Sequence, residues 1–576
     1  MTRRSIAYSE SPLLTQRTPL WRSRFILAGL ATAFVGLIGR AVYVQVLNND
    51  FILEQGDARM QRTVALEASR GRILDRNGLI LATSVPAVGI SIDGADPNHP
   101  GWRKVAKWLN RDERQLRQFI AKREKRVAML ARQVDEATGN KIKELKIPGL
   151  ILNREYMRSY PEGEAVAHVV GFTSVDNRGQ EGVELAFQSQ LAGQPGSRRV
   201  LKDRLGHVIE DVSDVIPPVN GHDIQLSIDS RIQFFAYDRI KAAVQKHNAS
   251  HGSVVVLDAT NGEILAMANY PSFDPNDRRT MKSAVLRNRA ITDAFEPGST
   301  VKPLVVGLAL EEKLVNPSSV FDTAPGFIRI GRAKISDSHV HGLLNVAQII
   351  EKSSNVGTVK ISDKLSAQSM WEMYSEVGIG QRPELSFPGV TRGALRPYQS
   401  WRPVEKATMS YGYGLSASLI QLARAYTVFG TDGHMAKLTL VKGQGGVTGD
   451  PVFSVKTTEQ LRQMLHLVTG DEGTAPRAQT LGYSVGGKTG TAHKLVDGKY
   501  AKDKYRGFFV GLAPIESPRV VVAVMLDEPK GREYFGGLVA APVFSETVQQ
   551  TLRILGVKPD LSVQPNIHAK GVEESV

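Results

Sequence analysis

At 576 residues the chain is too long for one ordinary core, since domains run to ~100–200 residues, and its 42% hydrophobic and 23% charged residues describe a globular protein rather than a disordered one. There is no cysteine, which excludes disulfides, thiolate nucleophiles and cysteine-ligated metals. The net charge of +14 is spread, with Asp and Glu among the Lys and Arg as in Arg111-Asp112-Glu113-Arg114; without zinc-finger spacing or a basic run with interleaved aromatics, no nucleic-acid partner is expected, and an anionic membrane or polymer suits the charge as well.

Residues 1–23 form a polar tail with Arg3, Arg4, Arg17 and Arg22. Residues 24–46 are apolar from Phe25 to Gly39, are interrupted at Arg40, and resume to Val46. A helix needs about 20 residues to cross a bilayer, so 24–46 reads as an uncleaved transmembrane anchor whose Arg40 snorkels or faces a partner helix. The preceding arginines put the N-terminus in the cytoplasm and the rest of the chain outside. A cleaved signal peptide is the rival; its apolar core is shorter, and no small-x-small site follows directly.

Residues 47–225 read as one mixed domain. Ser69–Gly78 predicts a strand ending in the Asn77-Gly78 turn. Residues 102–146 show helical apolar spacing (Val105, Trp108, Leu109; Leu116, Ile120; Met129, Leu130), which predicts two or three surface helices. Gly149–Tyr160 reads as extended, Tyr160–Gly163 as a turn, Ala167–Phe172 as a short apolar stretch and Asp203–His207 as a polar turn. His168 in the apolar stretch is read as a satisfied core histidine rather than a ligand.

The texture changes from Asp223, and Ile224–Ile228 alternates like a strand. Arg231–Lys246 reads as a helix, and Ser253–Asp258 and Ile264–Ala268 as a hairpin. Helices and loops run to about 475, followed by strands at Ser484–Ala492, Arg506–Ala513 and Arg519–Leu526. Strands, then helices, then strands predict an α+β domain over 226–558 whose sheet draws from both ends. Residues 559–576 read as a flexible tail.

Within this domain Glu296-Pro297-Gly298 delivers Ser299, Lys302 lies three residues on, and Pro303 opens an apolar run. That places Ser299 at a helix N-terminus with Lys302 on the same face one turn later. A serine hydroxyl needs a base, and a lysine serves if burial or a nearby cation lowers its pKa. Alone, the pair reads more simply as an N-cap and a solvated lysine. Ser353-Ser354-Asn355 and Lys488-Thr489-Gly490-Thr491, in that order and on that frame, change the balance.

Ser-x-x-Lys, Ser-x-Asn and Lys-Thr-Gly together resemble the penicillin-binding proteins and serine β-lactamases. Arg70-Gly71-x-Ile73-x-Asp75-Arg76-Asn77-Gly78, Tyr160-Pro161-x-Gly163, Ala167–Gly171 and Gly182-x-Glu184 resemble signatures of the class B penicillin-binding proteins, and Tyr411–Gly414 and Tyr534–Gly537 fit the same pattern. The nearest resemblance is to the division-type, septal enzymes, over about residues 20–555. It implies a penicillin-binding, β-lactamase-like transpeptidase domain, an antiparallel sheet with helices, after an elongated mixed α/β pedestal and one transmembrane helix.

The resemblance implies a peptidoglycan D,D-transpeptidase in the cytoplasmic (inner) membrane, with its catalytic domain in the periplasm at the septum. Ser299 would attack the penultimate D-Ala of a stem peptide and an amine from a second stem would resolve the acyl-enzyme. Lys302 would be the base, and Ser353 would relay protons between the amine and Lys302 or Lys488. Asn355 would hold the substrate amide, and Lys488, Thr489, Gly490 and Thr491 its terminal carboxylate. The backbone N–H groups of Ser299 and Thr491 would form the oxyanion hole. Implied partners are stem peptides, β-lactams, a multi-spanning glycan polymerase and other division-complex membrane proteins; no cofactor or metal is called for. His493 stands where division enzymes often carry arginine, which alters how an acyl side chain is held. His339 and His341 read as loop residues rather than metal ligands. Alternatives are a D,D-carboxypeptidase of the same fold and a catalytically idle β-lactam-binding scaffold or sensor.

Overall fold

The computed structural model describes residues 19–47, 61–123, 127–202, 208–496 and 499–562. The turn expected at Asp203–His207 lies outside them, as do most of the N-terminal tail and the C-terminal tail from 563 onward. Two compact units divide the chain: 1–67 with 195–219, and 68–194 with 220–576.

The first unit contains an α-helix, Leu20–Val42, that runs into a π-turn at Tyr43–Leu47. Leu20–Val46 is 27 residues long, and its most apolar 18-residue window has a mean hydropathy of 2.0 and no buried residue, so it is long and apolar enough to span a bilayer. The unit also holds a three-stranded antiparallel sheet of Gln61–Leu66, Gly196–Lys202 and Val208–Ile216.

The second unit begins with the head of the pedestal. The long strand Ile80–Ile92 lies between Ala128–Asp135 and Leu150–Ser159. Helices Trp102–Trp108, Glu113–Ala121 and Glu136–Glu144 cover it, burying Trp102, Val105, Leu116, Ile120 and Ile142 in a small core. The helical expectation for 102–146 fails at Met129 and Leu130, which belong to a strand. Leu130 is buried while Met129 is 45% exposed, the alternation of a pleated strand.

The expected strand at Ser69–Gly78 shrinks to Ile73–Leu74. Asp75 ends it by accepting from the backbone N–H groups of Asn77 (2.7 Å) and Leu79 (2.8 Å), a local bond that competes with the sheet ladder. Its other oxygen accepts from Ser230 Oγ at 2.8 Å, tying the pedestal to the next domain. Nearby, Glu184, 0% exposed, is held between Arg70 Nε (2.5 Å) and Arg158 Nε (2.6 Å).

The following domain opens with α1 (Ser230–Lys246), β1 (His251–Asp258) and β2 (Ile264–Tyr270). Then come α2 (Lys302–Glu311), α3 (Asn355–Ser362), α4 (Leu419–Tyr426) and α5 (Val455–Thr469). It closes with β3 (Gly486–Val496), β4 (Lys499–Ala513), β5 (Val520–Asp527) and α6 (Ala541–Ile554). The sheet order is β2-β1-β5-β4-β3, antiparallel throughout, so strands from both ends of the domain form one sheet. Every residue of β1 and β5 is buried, so both faces of these central strands are covered. Helix α2 is apolar on nearly every side and buried along most of its length, as befits a helix at the centre of a domain.

Candidate active site

Ser299 sits in a single 3-10 turn, Gly298–Val301, that leads into α2. Gly298 has φ +56°, the left-handed region that glycine enters without strain. Its N–H donates to Gly412 O at 3.2 Å, and a Cβ on Gly412 would lie 2.1 Å from Gly298 O. Only a glycine at 412 therefore lets that loop close against the serine turn.

On its other side the turn abuts β3. A Cβ on Gly490 would lie 2.8 Å from Thr300 Cγ2 and 3.1 Å from Pro297 O, so Gly490 permits a close approach and is not itself a cleft-lining residue. Its neighbours Thr489 and Thr491 do line the cleft, with Ser299, Ser353 and Asn355. The cleft has a volume of about 590 Å³.

Lys302 and Lys488 are both 0% exposed and lie beneath its floor. Lys302 Nζ donates to Ser353 O (2.5 Å), Asn355 Oδ1 (2.7 Å) and Ser353 Oγ (3.3 Å). Lys488 Nζ donates to Ser353 Oγ (2.9 Å), Thr489 Oγ1 (3.2 Å) and Thr489 O (3.3 Å). Burial lowers the Lys302 pKa to about 7, opposed by the negative charge of Asp337. Burial pushes Lys488 well below its ordinary value, and the neighbouring Lys302 pushes the same way. Burial thus disfavours the charged form of both amines, and one hydroxyl accepts from both.

Ser353 reaches that place through a left-handed backbone, φ +60°, uncommon for a residue other than glycine. The next three residues are held by Asp337, a residue that no motif flagged. Asp337 accepts from Asn355 N (2.5 Å), Val356 N (3.0 Å) and Ser354 Oγ (2.6 Å). Ser354 Oγ in turn accepts from Gly357 N at 2.9 Å as the N-cap of α3. A carboxylate at a helix N-terminus is also favoured by the helix dipole. Asn355 Nδ2 donates to Ser336 O at 2.8 Å, which turns its oxygen toward Lys302.

Of the cleft wall, the sequence pointed to His493 and Tyr534–Gly537 but not to Tyr505. His493, Tyr505, Tyr534 and Phe535 form a chain of ring contacts with centroids 4.7, 4.2 and 4.4 Å apart. His339 and His341, expected as plain loop residues, line the cleft as well. Among the described residues no group of His, Cys, Asp or Glu is arranged to hold a metal ion. His168 is a buried core residue, its Nε2 2.8 Å from Val285 O, and burial lowers its pKa to about 4.

The chain is similar to known proteins over most of its length. Residues 252–549 match the model of the penicillin binding protein transpeptidase domain, and residues 65–226 that of the penicillin-binding protein dimerisation domain. The probable peptidoglycan D,D-transpeptidase PenA of Neisseria gonorrhoeae is 41% identical over 93% of this chain and 93% of its own. The peptidoglycan D,D-transpeptidase FtsI of Escherichia coli (strain K12) is 39% identical over 94% of this chain and 93% of its own. The transpeptidase domain of penicillin-binding protein 3 from Burkholderia pseudomallei superposes with a TM-score of 0.54 and 46% identity, covering 58% of this chain and 98% of that one. With matching domain models over both halves and whole-length relatives at this identity, the chain belongs to the class B penicillin-binding proteins.

Proposed function

We propose that this protein is a membrane-anchored peptidoglycan D,D-transpeptidase that cross-links stem peptides through a serine acyl-enzyme in septal wall synthesis, and that β-lactams acylate the same serine. The observation that carries the mechanism is Ser353 Oγ lying between Lys302 Nζ and Lys488 Nζ above α2.

In the first half-reaction neutral Lys302 takes the proton of Ser299 as Oγ bonds to the carbonyl carbon of the penultimate D-Ala. The N–H groups of Ser299 and Thr491 receive the developing oxyanion. The C–N bond then breaks and the departing D-Ala amine takes a proton from Ser353, which recovers one from Lys302 or Lys488. In the second half an amine of another stem peptide attacks the ester carbonyl and gives its proton back along the same path, forming the new amide and freeing Ser299. Lys302, with its pKa lowered to about 7, suits this exchange, because it can both accept and return a proton near neutral pH. Asn355 holds the amide of the donor peptide, and Lys488, Thr489 and Thr491 hold its carboxylate, with Gly490 allowing the strand to come close.

The helix Leu20–Val46 anchors the protein in the cytoplasmic membrane, with the N-terminus inside and the catalytic domain in the periplasm at the septum. A multi-spanning glycan polymerase and other division-complex proteins are its proposed partners there.

Incubating the purified protein with a D-Ala-D-Ala pentapeptide, with and without an acceptor amine, tests the reaction. Cross-linked product in the presence of the amine is expected; free acid as the only product would favour the D,D-carboxypeptidase. A fluorescent fusion in dividing cells tests the site of action, where uniform sidewall signal would count against the septum.

A further inference from the structure

Thr474 belongs to no motif, yet it lines the cleft beside Thr489. The two side-chain oxygens lie 2.9 Å apart. Thr489 Oγ1 also accepts from Lys488 Nζ at 3.2 Å. Two hydroxyls have two O–H groups; one is used between them, and the other is left to point elsewhere. When Thr489 donates to Thr474, the free O–H belongs to Thr474. That direction continues the donor chain that starts at Lys488, and each bond in such a chain polarises the next.

The loop that carries Thr474 is held from several sides. Ala475 N donates to Val468 O at 2.9 Å. A Cβ on Gly537 would lie 2.2 Å from Thr474 O, so that segment packs directly on the loop. Lys352, the residue before Ser353, reaches over to Glu472, donating to its backbone oxygen (2.7 Å) and its carboxylate (3.1 Å). The Thr474 hydroxyl is therefore presented at a set position.

Thr491 offers a second outward donor, because its Oγ1 already accepts from Gly536 N at 3.1 Å and its O–H remains to be given. A carboxylate has about four lone-pair sites and is best met by several donors beside a cation.

We infer that Thr474 is a further binding residue of the cleft, donating its hydroxyl hydrogen to the free carboxylate of the donor peptide together with Thr491 and above Lys488. This rests on the acyl-transfer reading above and adds to it a residue outside the three motifs.

The test compares Thr474→Val, which keeps the shape and removes the hydroxyl, with Thr474→Ser, which restores it. Each variant is assayed with an N-acyl-D-alanyl thioglycolate thioester and with its methyl ester, which lacks the carboxylate. Thr474→Val should lower kcat/KM for the acid about tenfold, the scale of one hydrogen bond to a charged group, and change the ester less than about twofold. Thr474→Ser should return the acid to within about threefold of wild type. Equal losses for acid and ester, no loss for the acid, or no recovery with serine would each overturn the assignment. Covalent labelling of Ser299 by a fluorescent penicillin is followed in parallel. Full labelling with unchanged thioester kinetics rejects the role of Thr474 alone, whereas a wild-type protein that never labels rejects the acyl-transfer reading itself.

Discussion

Lys302 and Lys488 share one acceptor, the Ser353 hydroxyl, at 3.3 and 2.9 Å. An ammonium can only donate to that oxygen, whereas a neutral amine can also accept from it. The protonation of the two lysines therefore decides which way the Ser353 proton points.

Acylation should follow the deprotonation of Lys302. With its pKa lowered to about 7, the rate of Ser299 acylation should rise with pH through that value and level off above it. A pH profile of labelling by a fluorescent penicillin measures this. An acidic limb centred above pH 9 would rule out Lys302 as a depressed base.

The same lysine opposes folding. Its pKa is lower in the folded protein than in the unfolded chain, near 10.4, so the unfolded state binds more protons over the interval and stability rises with pH from about 7 to about 10. Compared with wild type, Lys302→Met should gain most thermal stability at pH 6–7, and that advantage should shrink toward pH 10 while acylation stays absent. Paired melting curves across pH would show it; a difference that does not vary with pH would contradict it.

Asp337→Ala should slow acylation at least tenfold and lower Tm. It removes three hydrogen bonds at the start of α3, two of them to backbone N–H groups, and bonds to a charged acceptor contribute about 1.5–3 kcal/mol each. Labelling kinetics and a melting curve suffice, and a lower Tm with an unchanged rate would mean that Asp337 has no hold on Ser353 and Asn355.

Glu184→Ala should destabilise the pedestal by about 3–5 kcal/mol, because Arg70 and Arg158 would then be buried without their shared counter-charge. The expected readout is increased proteolysis of the pedestal at temperatures where the transpeptidase domain still binds penicillin.

Gly536→Ala should impair substrate and β-lactam reaction without touching any catalytic side chain. The added Cβ would meet Phe508 O at 2.1 Å and Gly490 O at 2.5 Å, and Gly536 N would be drawn away from Thr491 Oγ1. A loss confined to KM or to the acylation rate, with a folded protein by circular dichroism, is the expected pattern.

Much of the fold was legible because its signals are local. The β1–β2 hairpin is marked by two apolar runs around Thr260-Asn261-Gly262, and the three closing strands by their spacing. The three motifs named Ser299, Lys302, Ser353, Asn355 and Lys488, and these meet or line one cleft. The misses share a physical cause. Met129 and Leu130 fit helical and strand periods equally well over so short a window, and the pairing with Ile80–Ile92 decided between them. Asp337 and Thr474 act through contacts with residues distant in sequence, and nothing in their own neighbourhood distinguishes them from turn residues. Tyr505 likewise gains its place only when β4 sets it between His493 of β3 and Tyr534, two residues that the motifs had already marked.

The strand order also has a consequence for when the enzyme can exist. β5 lies between β1 and β4, so the sheet of the Ser299 domain lacks its middle until residue 527 has been synthesised. The ribosome releases Ser299 long before then, into a chain with an open gap between β1 and its eventual neighbour. Contacts of such long sequence separation form late in folding. A growing or prematurely ended chain therefore carries Ser299, the proposed nucleophile, without the completed sheet beside it, and the proposed activity would arrive only with the nearly finished molecule.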